Sequence, residues 1–460
     1  MDFFELTSAL ERDFSTCADF KHRSFTLKNG KTAYICAFKD LTSRSYISER
    51  IILPLIVTED VKDIISTVQT TVVMEETDIE KIKSALLFGS ALVVLYDNVT
   101  TISALCPADE GGGRDIQEPN SDVTIRGPRA GFTEDYEKNV AAIRRIIRNE
   151  NLAFEEFTLK GNTHTRVVLS YIEGVANENV VKCIRQKLTS LDAVGIVDSA
   201  NLEMFISGRM LFPIFGSTEK VDKFASKLLS GRVGIIVDGS PFVMTAPYVF
   251  AESIQSAEDY LKSPVYSTFM RLLRFLALFI SLYFPSMYIT VLKYAPELLP
   301  DKVTDILKQS REGMPLEPFF EILLMLIVFE ILREVGVRMP RTVGDAVGIV
   351  GSIIIGDAAT EAGLASTVVV VVVAITAVCT FIIPAYMNAQ LIFRFVFLFA
   401  GYFFSFFGVI IASLLLLSYL ACKTSFGISY LSPLSPVSFQ GMLDFIISVP
   451  SVNLKRRDKF

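Results

Sequence analysis

Charged residues are absent from long stretches of the second half of the chain. Residues 364–393 and 395–422 carry no charged side chain, with Arg394 alone between them, and residues 275–292 form a shorter uncharged run. The two longer runs each exceed the ~20 apolar residues that a helix needs to cross a bilayer. Residues before 263 mix polar, charged and apolar positions and contain many turn signals. The pattern predicts a soluble head followed by a polytopic, all-α membrane domain.

The head carries the patterns of both strands and helices. Strand-like runs flank Asn29-Gly30, a favoured two-residue hairpin turn, and a second hairpin is predicted to turn at Asp238-Gly239. Alternating helices and short strands indicate a mixed α/β head made of two small α/β subdomains. The other predicted elements are helices at 43–53, 78–87, 135–148 and 178–188 and strands at 91–96, 152–159 and 165–171.

A run of glycines with acidic neighbours, residues 111–113, marks the boundary between the two subdomains. We therefore divide the chain into a first α/β subdomain, a second α/β subdomain, a transmembrane domain and a C-terminal tail. Their predicted ranges are 1–118, 119–262, 263–423 and 424–460.

The transmembrane domain is predicted to contain about four full spans and one interrupted segment. The fourth span is the apolar stretch 318–332, which contains Glu321 and Glu330. Glycines in the segment 343–363 allow close helix approach and a broken helix, which is tolerated at membrane depth only inside protein or along a water-filled cavity. Charge within a membrane usually faces a cavity or a partner. Glu321 is therefore either an intramembrane polar site or a residue at the membrane interface.

Small residues and carboxylates coincide at the end of the glycine-rich segment. In an oligomer, this part of each copy is predicted to line a common axis, since small side chains leave room for water and acids attract cations. The alternative is tight helix packing with the acids at the membrane interface. The predicted pore-lining residues are Gly356, Asp357, Ala359, Thr360, Glu361 and Gly363.

Two arginines flank a stiff turn in the head. Arg126 and Arg129 enclose Gly127-Pro128. A guanidinium binds a carboxylate through two parallel hydrogen bonds, and the proline holds the spacing of the pair. We expect these four residues to form an interface with a neighbouring subunit or with the membrane domain. The alternative is a linker between the two subdomains.

Charge and reactive side chains exclude several functions. The formal net charge of −6 and the lack of a basic stripe argue against a nucleic-acid partner. The 6 cysteines are scattered and have no metal-ligand spacing. The only two histidines, His22 and His164, lie in different predicted subdomains, so no catalytic arrangement is supported. We predict that the protein is not an enzyme and has no cofactor or metal.

The ends of the chain predict its orientation. The N-terminus lacks the cationic and apolar stretches of a signal peptide, and basic residues lie before the first span and after the last one. Scattered cysteines suit a reducing compartment. The head and the C-terminal tail are therefore predicted to be cytoplasmic.

One motif in the head resembles a known family. The sequence Arg-Gly-Pro-Arg-Ala-Gly-Phe-Thr-Glu at residues 126–134 is similar to the signature of the A subunits of GerA-type spore germination receptors. The likeness continues in collinear order at 231–232, 237–241, 338–341 and 349–363. The resemblance implies an A subunit of a nutrient germinant receptor, an integral protein of the inner spore membrane.

The resemblance also implies partners and a mechanism. The A subunit oligomerises and forms or gates an ion pathway that triggers germination. Its partners are a transporter-like B subunit, a lipoprotein C subunit and membrane lipid. Two alternatives remain, a secondary transporter and a passive membrane scaffold. A transporter would be supported by an inverted repeat of spans, which the sequence does not show, and a scaffold would leave Asp357 and Glu361 dispensable.

Overall fold

The structure is a computed structural model. Its described residues are 3–59, 61, 63–97, 100–108, 128–208, 210–256, 259, 262–339, 351, 354–437, 445 and 447. Arg126 and Gly127 of the predicted interface lie outside the described residues, as do residues 343–350 of the predicted interrupted segment.

The first lobe of the head, residues 3–108, is built on an antiparallel sheet. Its strands are β1 (Phe20–Thr26), β2 (Thr32–Phe38), β3 (Met74–Glu75), β4 (Ser90–Tyr96) and β5 (Thr101–Pro107). They lie in the order β1-β2-β4-β5-β3. The predicted first hairpin is confirmed, because Thr26 pairs with Thr32 across the turn. Gly30 in that turn has a φ of +82°, a left-handed conformation that glycine adopts without a steric penalty.

Helices cover both faces of this sheet. They are α1 (Phe3–Asp13), α2 (Arg44–Tyr46), a π-helical turn (Ile47–Ile52), α3 (Leu53–Val57), α4 (Ile64–Thr67) and α5 (Ile79–Leu87). Successive residues of a strand point to opposite faces. Accordingly, Tyr34, Cys36 and Phe38 of β2 pack with α1 and α5. The residues between them in β2, Ala33, Ile35 and Ala37, pack with α3 and α4 on the other face.

The second lobe, residues 130–256, repeats the topology of the first. Its strands are β6 (Leu152–Thr158), β7 (Arg166–Ile172), β8 (Gly216–Thr218), β9 (Val233–Val237) and β10 (Val243–Ala246). They lie in the order β6-β7-β9-β10-β8, which matches β1-β2-β4-β5-β3 strand for strand. Its helices are α6 (Tyr136–Ile146), α7 (Glu178–Ser190), α8 (Ser199–Ser207), α9 (Val221–Leu229) and α10 (Phe250–Ile254). In chain order, α6 precedes the first strand of this lobe and α9 precedes the fourth, as α1 and α5 do in the first lobe.

A buried ion pair joins the two lobes. Arg144 of α6 donates to both carboxylate oxygens of Asp19, at 2.8 and 2.9 Å, and also to the carbonyl of Leu152. The side chains of Arg144 and Asp19 are 0% and 2% exposed. Beside them, the Ala18 amide donates to the Phe154 carbonyl at 2.8 Å. Because a buried charge is stable only when it is paired, these contacts fix one arrangement of the lobes.

The helical half of the chain follows the second lobe. Its helices are α11 (Pro264–Tyr294), α12 (Asp301–Ser310), α13 (Pro318–Arg338), α14 (354–361), α15 (Thr367–Phe381) and α16 (Met387–Cys422), with a 3₁₀ turn at Pro384–Tyr386 between the last two. Two segments, Pro264–Tyr294 and Pro384–Cys422, are long and apolar enough to cross a membrane. A short hairpin of β11 (Thr424–Ser425) and β12 (Ile428–Ser429) follows α16 and returns to the second lobe, where Ser425 Oγ donates to the Ile214 carbonyl at 2.8 Å.

Helix α16 is a hairpin of two arms rather than one straight rod. Ser405 has the non-helical angles φ 58° and ψ −153° in its middle. Ala389 and Leu416 line one cavity, although in a straight helix they would be about 40 Å apart at 1.5 Å per residue. The chain therefore turns at Ser405 and runs back toward the head. Arg394, which lies between the two uncharged runs of the sequence, is within the first arm, and the breaks fall at the 3₁₀ turn and at Ser405.

Candidate functional site

A carboxylate at the end of the head binds the first long helix. Asp259, only 3% exposed, accepts from Arg271 Nε at 3.1 Å and from Arg274 Nη1 and Nη2 at 2.7 and 2.9 Å. Burial alone would raise the pKa of Asp259, but hydrogen bonds from Arg274 and from the Ser256 amide outweigh it, and the pKa is lowered. Asp259 is therefore ionised at neutral pH, and it fixes the start of α11 to the head.

A second buried carboxylate ties α10 to the second lobe. Glu252 pairs with Arg232 at 2.5 Å and with Lys227 of α9. Burial lowers the pKa of Lys227, although the attraction of Glu252 opposes this shift. The amide of Phe250 donates to the carbonyl of Tyr430 at 2.8 Å, which connects α10 to the segment after α16. The head thus holds both ends of the helical domain, the start of α11 and the end of α16.

One arginine joins four helices inside the helical domain. Arg394 of α16 is 1% exposed. It donates from Nε to the Ser281 carbonyl of α11 at 3.0 Å and from Nη2 to the Thr380 hydroxyl of α15. Its Nη1 lies 3.6 Å from Glu330 of α13, which also pairs with Arg333 at 2.8 Å. Because the charge and the donors of Arg394 have partners on three other helices, a relative shift of any of these helices disturbs this network.

Glu321 is a second buried charged residue of the helical domain. It lies at the end of the helices away from the head. It is 0% exposed, its Oε1 lies 3.3 Å from Arg311 Nη2, and its Oε2 accepts from the Ser366 amide at 3.0 Å. Ser366 is the N-cap of α15. A carboxylate at a helix N-terminus is favoured by the unpaired amides and by the helix dipole. Glu321 is thus a buried carboxylate whose partners are Arg311 and the N-terminus of α15.

The predicted pore residues fall on different faces of α14. Asp357 and Glu361 are exposed and lie one turn apart on the same face. The Thr360 hydroxyl donates to the Asp357 carbonyl of its own helix at 2.8 Å. Gly356 and Gly363 are half-buried, and Gly363 ends the helix with a φ of +66°.

Ala359 departs from the prediction. It is 7% exposed and packs with Ile322 of α13 and Val369 of α15. Two positions along a helix correspond to a rotation of about 200°, so a residue midway between Asp357 and Glu361 points away from both. The expectation that Ala359 lines the same surface as the two acids is corrected accordingly. In the single chain, Ala359 attaches α14 to the helices behind it.

The docking turn, the predicted interface at residues 126–129, is described only in part. Pro128 and Arg129 are exposed at the start of the second lobe. The following residues attach to the connection between β8 and α9, since the Phe132 amide donates to the Glu219 carbonyl at 2.7 Å and Gly131 pairs with Lys220. The motif therefore joins the second lobe immediately after its two described turn residues.

Comparison with known proteins identifies the family. The family described as "Bacillus/Clostridium GerA spore germination protein" matches residues 8–460. The chain belongs to the GerA family. It is 38% identical over 422 residues to "Spore germination protein KA" of Bacillus subtilis (strain 168), covering 89% of this chain and 77% of that protein. It is 31% identical over 473 residues to "Spore germination protein GerLA" of Bacillus cereus, covering 100% and 95%.

A solved structure is also similar to part of this chain. It is the "Crystal structure of the N-terminal domain of the A subunit of the Bacillus megaterium spore germinant receptor GerK3". The match covers 54% of this chain and 95% of that one, at 24% identity and a TM-score of 0.39. The α/β head and the helical second half are features of this chain's own structure. The GerA family is not an enzyme family.

Two of the GerA-like motifs beyond the docking turn, at 231–232 and 237–241, have structural roles in this chain. Gly231, with a φ of +86°, ends α9 and is followed by Arg232, the partner of Glu252. In the motif at 237–241, Ser240 Oγ donates to Asp198 Oδ1 at 2.8 Å and so holds the start of α8. The resemblance thus rests in part on residues that fix α8 and α10 to the second lobe.

Sequence reasoning missed two of the central site residues in this GerA-family chain. Arg394 had a usable signal, because a single charge inside a long apolar run is expected to face the protein interior and pair. Asp259 had none, since acidic residues are common near it and only the fold brings it to Arg271 and Arg274.

Proposed function

We propose that this chain is the A subunit of a nutrient germinant receptor, which oligomerises and forms or gates an ion pathway during spore germination. Membership of the GerA family and the names of its relatives support the receptor role. On this proposal the partners are a transporter-like B subunit, a lipoprotein C subunit and membrane lipid. The protein resides in the inner spore membrane with its head and C-terminal tail in the cytoplasm.

The observation that carries the gating proposal is the continuity of polar contacts from the head to the helices. Asp259 holds Arg274 in the first turns of α11. About two turns further, or about 10 Å along the helix, the Ser281 carbonyl accepts from Arg394. Arg394 also contacts Glu330 and Thr380. A movement of the head that shifts α11 along its axis therefore changes the contacts of α13, α15 and α16 together.

The exposed acids of α14 supply the ion pathway in this proposal. Asp357 and Glu361 point away from their own chain at the helix end far from the head. In a symmetric ring of subunits the same face of each copy is able to meet a common axis, where rings of carboxylates select cations. Ala359 on the opposite face then holds the segment to Ile322 and Val369 behind it.

Ion flux through the reconstituted protein tests this proposal. The chain is reconstituted alone and with its partner subunits, and the cation-to-anion permeability ratio is recorded. The variant Asp357→Asn, Glu361→Gln should lower that ratio. The control Asp301→Asn, Asp305→Asn removes the same charge from exposed positions of α12 and should leave it unchanged.

Each alternative predicts a different result of the same measurement. A passive scaffold shows no flux with any combination of partners. A secondary transporter shows flux that depends on one solute and saturates with it. For the gated pathway, Arg394→Leu should uncouple flux from the germinant while the complex still assembles. Equal germinant dependence in the wild type and in Arg394→Leu would exclude the proposed coupling through this residue.

A further inference from the structure

An apolar cavity of about 210 Å³ lies where the head meets the helices. Phe212 and Phe250 of the second lobe form its end toward the head. Leu278 and Leu282 of α11 form one side, and both arms of α16 form the other. The cavity therefore touches the head and the helices that carry the coupling described above. None of the described residues that line it is charged.

A single amide faces this apolar space. Gln390, on the first arm of α16, is 1% exposed, and neither its Nε2 nor its Oε1 has a hydrogen-bond partner. Leaving a buried donor or acceptor unpaired costs about 1–3 kcal/mol. Nearby hydroxyls do not satisfy it, since the Tyr430 hydroxyl donates to the Tyr386 hydroxyl at 3.0 Å. Arg394, one turn further, is engaged with Ser281 and Thr380.

We propose that this cavity binds a neutral amphiphile, an apolar chain or ring with one hydroxyl, carbonyl or amide group that pairs with Gln390. A neutral group is required because an ion placed here would lack a counter-charge among the described lining residues. The size follows from volume. An apolar cavity of about 150 Å³ holds benzene, so a cavity of this size holds about eight non-hydrogen atoms.

Two sources supply this chemistry. One is a free small amphiphile, and the other is the acyl chain of a membrane lipid whose ester carbonyl reaches Gln390. Both place an apolar body between Phe250 of the head and Leu416 of α16. In either case the occupant contacts the head and the helices at once, so its binding strengthens their association.

Photolabelling of the full-length protein in lipid nanodiscs tests the site. The probe is pentanol that carries a diazirine, which matches the estimated size of the occupant, and its adducts are mapped by mass spectrometry. We expect adducts concentrated at residues 389–393 and 416–420, and their loss when unlabelled pentanol competes. Leu416→Trp fills the cavity and should abolish these adducts. The control Leu415→Trp, on an exposed neighbour in the same arm, should not.

The amide is tested separately from the cavity. Gln390→Leu keeps the volume and removes the hydrogen bond, so adducts of the alcohol probe should fall roughly fivefold. A diazirine probe of the same chain without the hydroxyl should label both proteins equally. Stronger alcohol labelling in nanodiscs of ether-linked lipids, which have no ester carbonyl, identifies lipid as the resident occupant. Equal labelling in ether-linked and ester-linked lipids identifies a free amphiphile.

Several results would overturn the proposal. One is labelling that is spread over the outer surface of α11 and α16 and is unchanged in Leu416→Trp. Another is a pair of results, in which assembled complexes give no adducts and Leu416→Trp fails to assemble. Together these results would assign the cavity to a neighbouring subunit. Equal loss of both probes in Gln390→Leu would reject the role of the amide.

Discussion

The contact between Asp259 and α11 gives the sharpest stability prediction. In Asp259→Asn, the guanidiniums of Arg271 and Arg274, whose side chains are 1% and 16% exposed, lose their carboxylate. Removing one partner of a buried pair costs about 3–5 kcal/mol. Asparagine keeps one acceptor oxygen but turns an NH₂ group toward the cations, so we expect about 3 kcal/mol, the lower end of this range.

Hydrogen exchange measures this loss where it occurs. A change of about 3 kcal/mol corresponds to roughly 150-fold more frequent local opening. Amides of residues 264–274 in the full-length protein in nanodiscs should exchange faster by about that factor. The control Asp305→Asn makes the same chemical change at an exposed position of α12 and should leave these amides unchanged. An increase below fivefold, or an equal increase in the control, would refute the reasoning.

The same contact has a defined dependence on pH. The pKa of Asp259 is lowered in the folded protein below its ordinary value of 3.8, because hydrogen bonds from Arg274 and Ser256 outweigh burial. A depressed folded pKa contributes stability that is present above the unfolded pKa and is lost as pH falls through the folded pKa. The difference in exchange between the wild type and Asp259→Asn should therefore be constant near neutral pH and shrink in acid below pH 3.8.

Three further predictions follow from other contacts. Asp19→Asn, which leaves Arg144 buried without its carboxylate, should lower the free energy of unfolding of the head by about 3 kcal/mol in denaturant titrations. Glu321→Gln should increase hydrogen exchange at the first turn of α15, because the helix loses a buried negative charge at its N-terminus. With an impermeant thiol reagent on sealed cells, Glu178→Cys in the head should stay unlabelled and Lys302→Cys in α12 should react; the reverse would invert the proposed orientation.

That labelling experiment cannot use Cys36 and Cys106 of the head as reporters. Cys36 and Cys106 are 1% and 0% exposed. They would escape a reagent on either side of the membrane. Their burial in the two sides of the first lobe's sheet, rather than their compartment, decides their reactivity. Exposed positions such as Glu178 and Lys302 avoid this ambiguity.

Local patterns predicted many elements of the head within a few residues. The predicted helix 135–148 is Tyr136–Ile146, and the predicted strands 152–159 and 165–171 are Leu152–Thr158 and Arg166–Ile172. The second hairpin forms as predicted, with Gly239 at a φ of +83°. The predicted helix 43–53 is instead divided among α2, a π-helical turn and α3. The pattern within one segment is enough to predict an element where the turn residues and the hydrophobic periodicity indicate the same structure.

The candidate site was less accessible to sequence reasoning. The pair Glu330–Arg333, at 2.8 Å, is a local contact, since residues three positions apart on a helix are neighbours. The partners of Glu321, and the burial of Ala359 behind the acids of α14, depend on which helices lie next to them. The equal strand order of the two lobes was also invisible, because a shared topology does not require a shared sequence pattern.

The sequence by itself determined the division into an α/β head and a helical second half, the positions of most head strands, and membership of the GerA family. Hydrophobic runs, turn residues and motifs are properties of neighbouring positions in the chain. Only the tertiary structure decided that Arg144 meets Asp19, 125 positions away, and that Arg394 meets Ser281, 113 positions away. Such pairs form because a buried charge must have a partner, and the packing of whole elements selects which partner it finds.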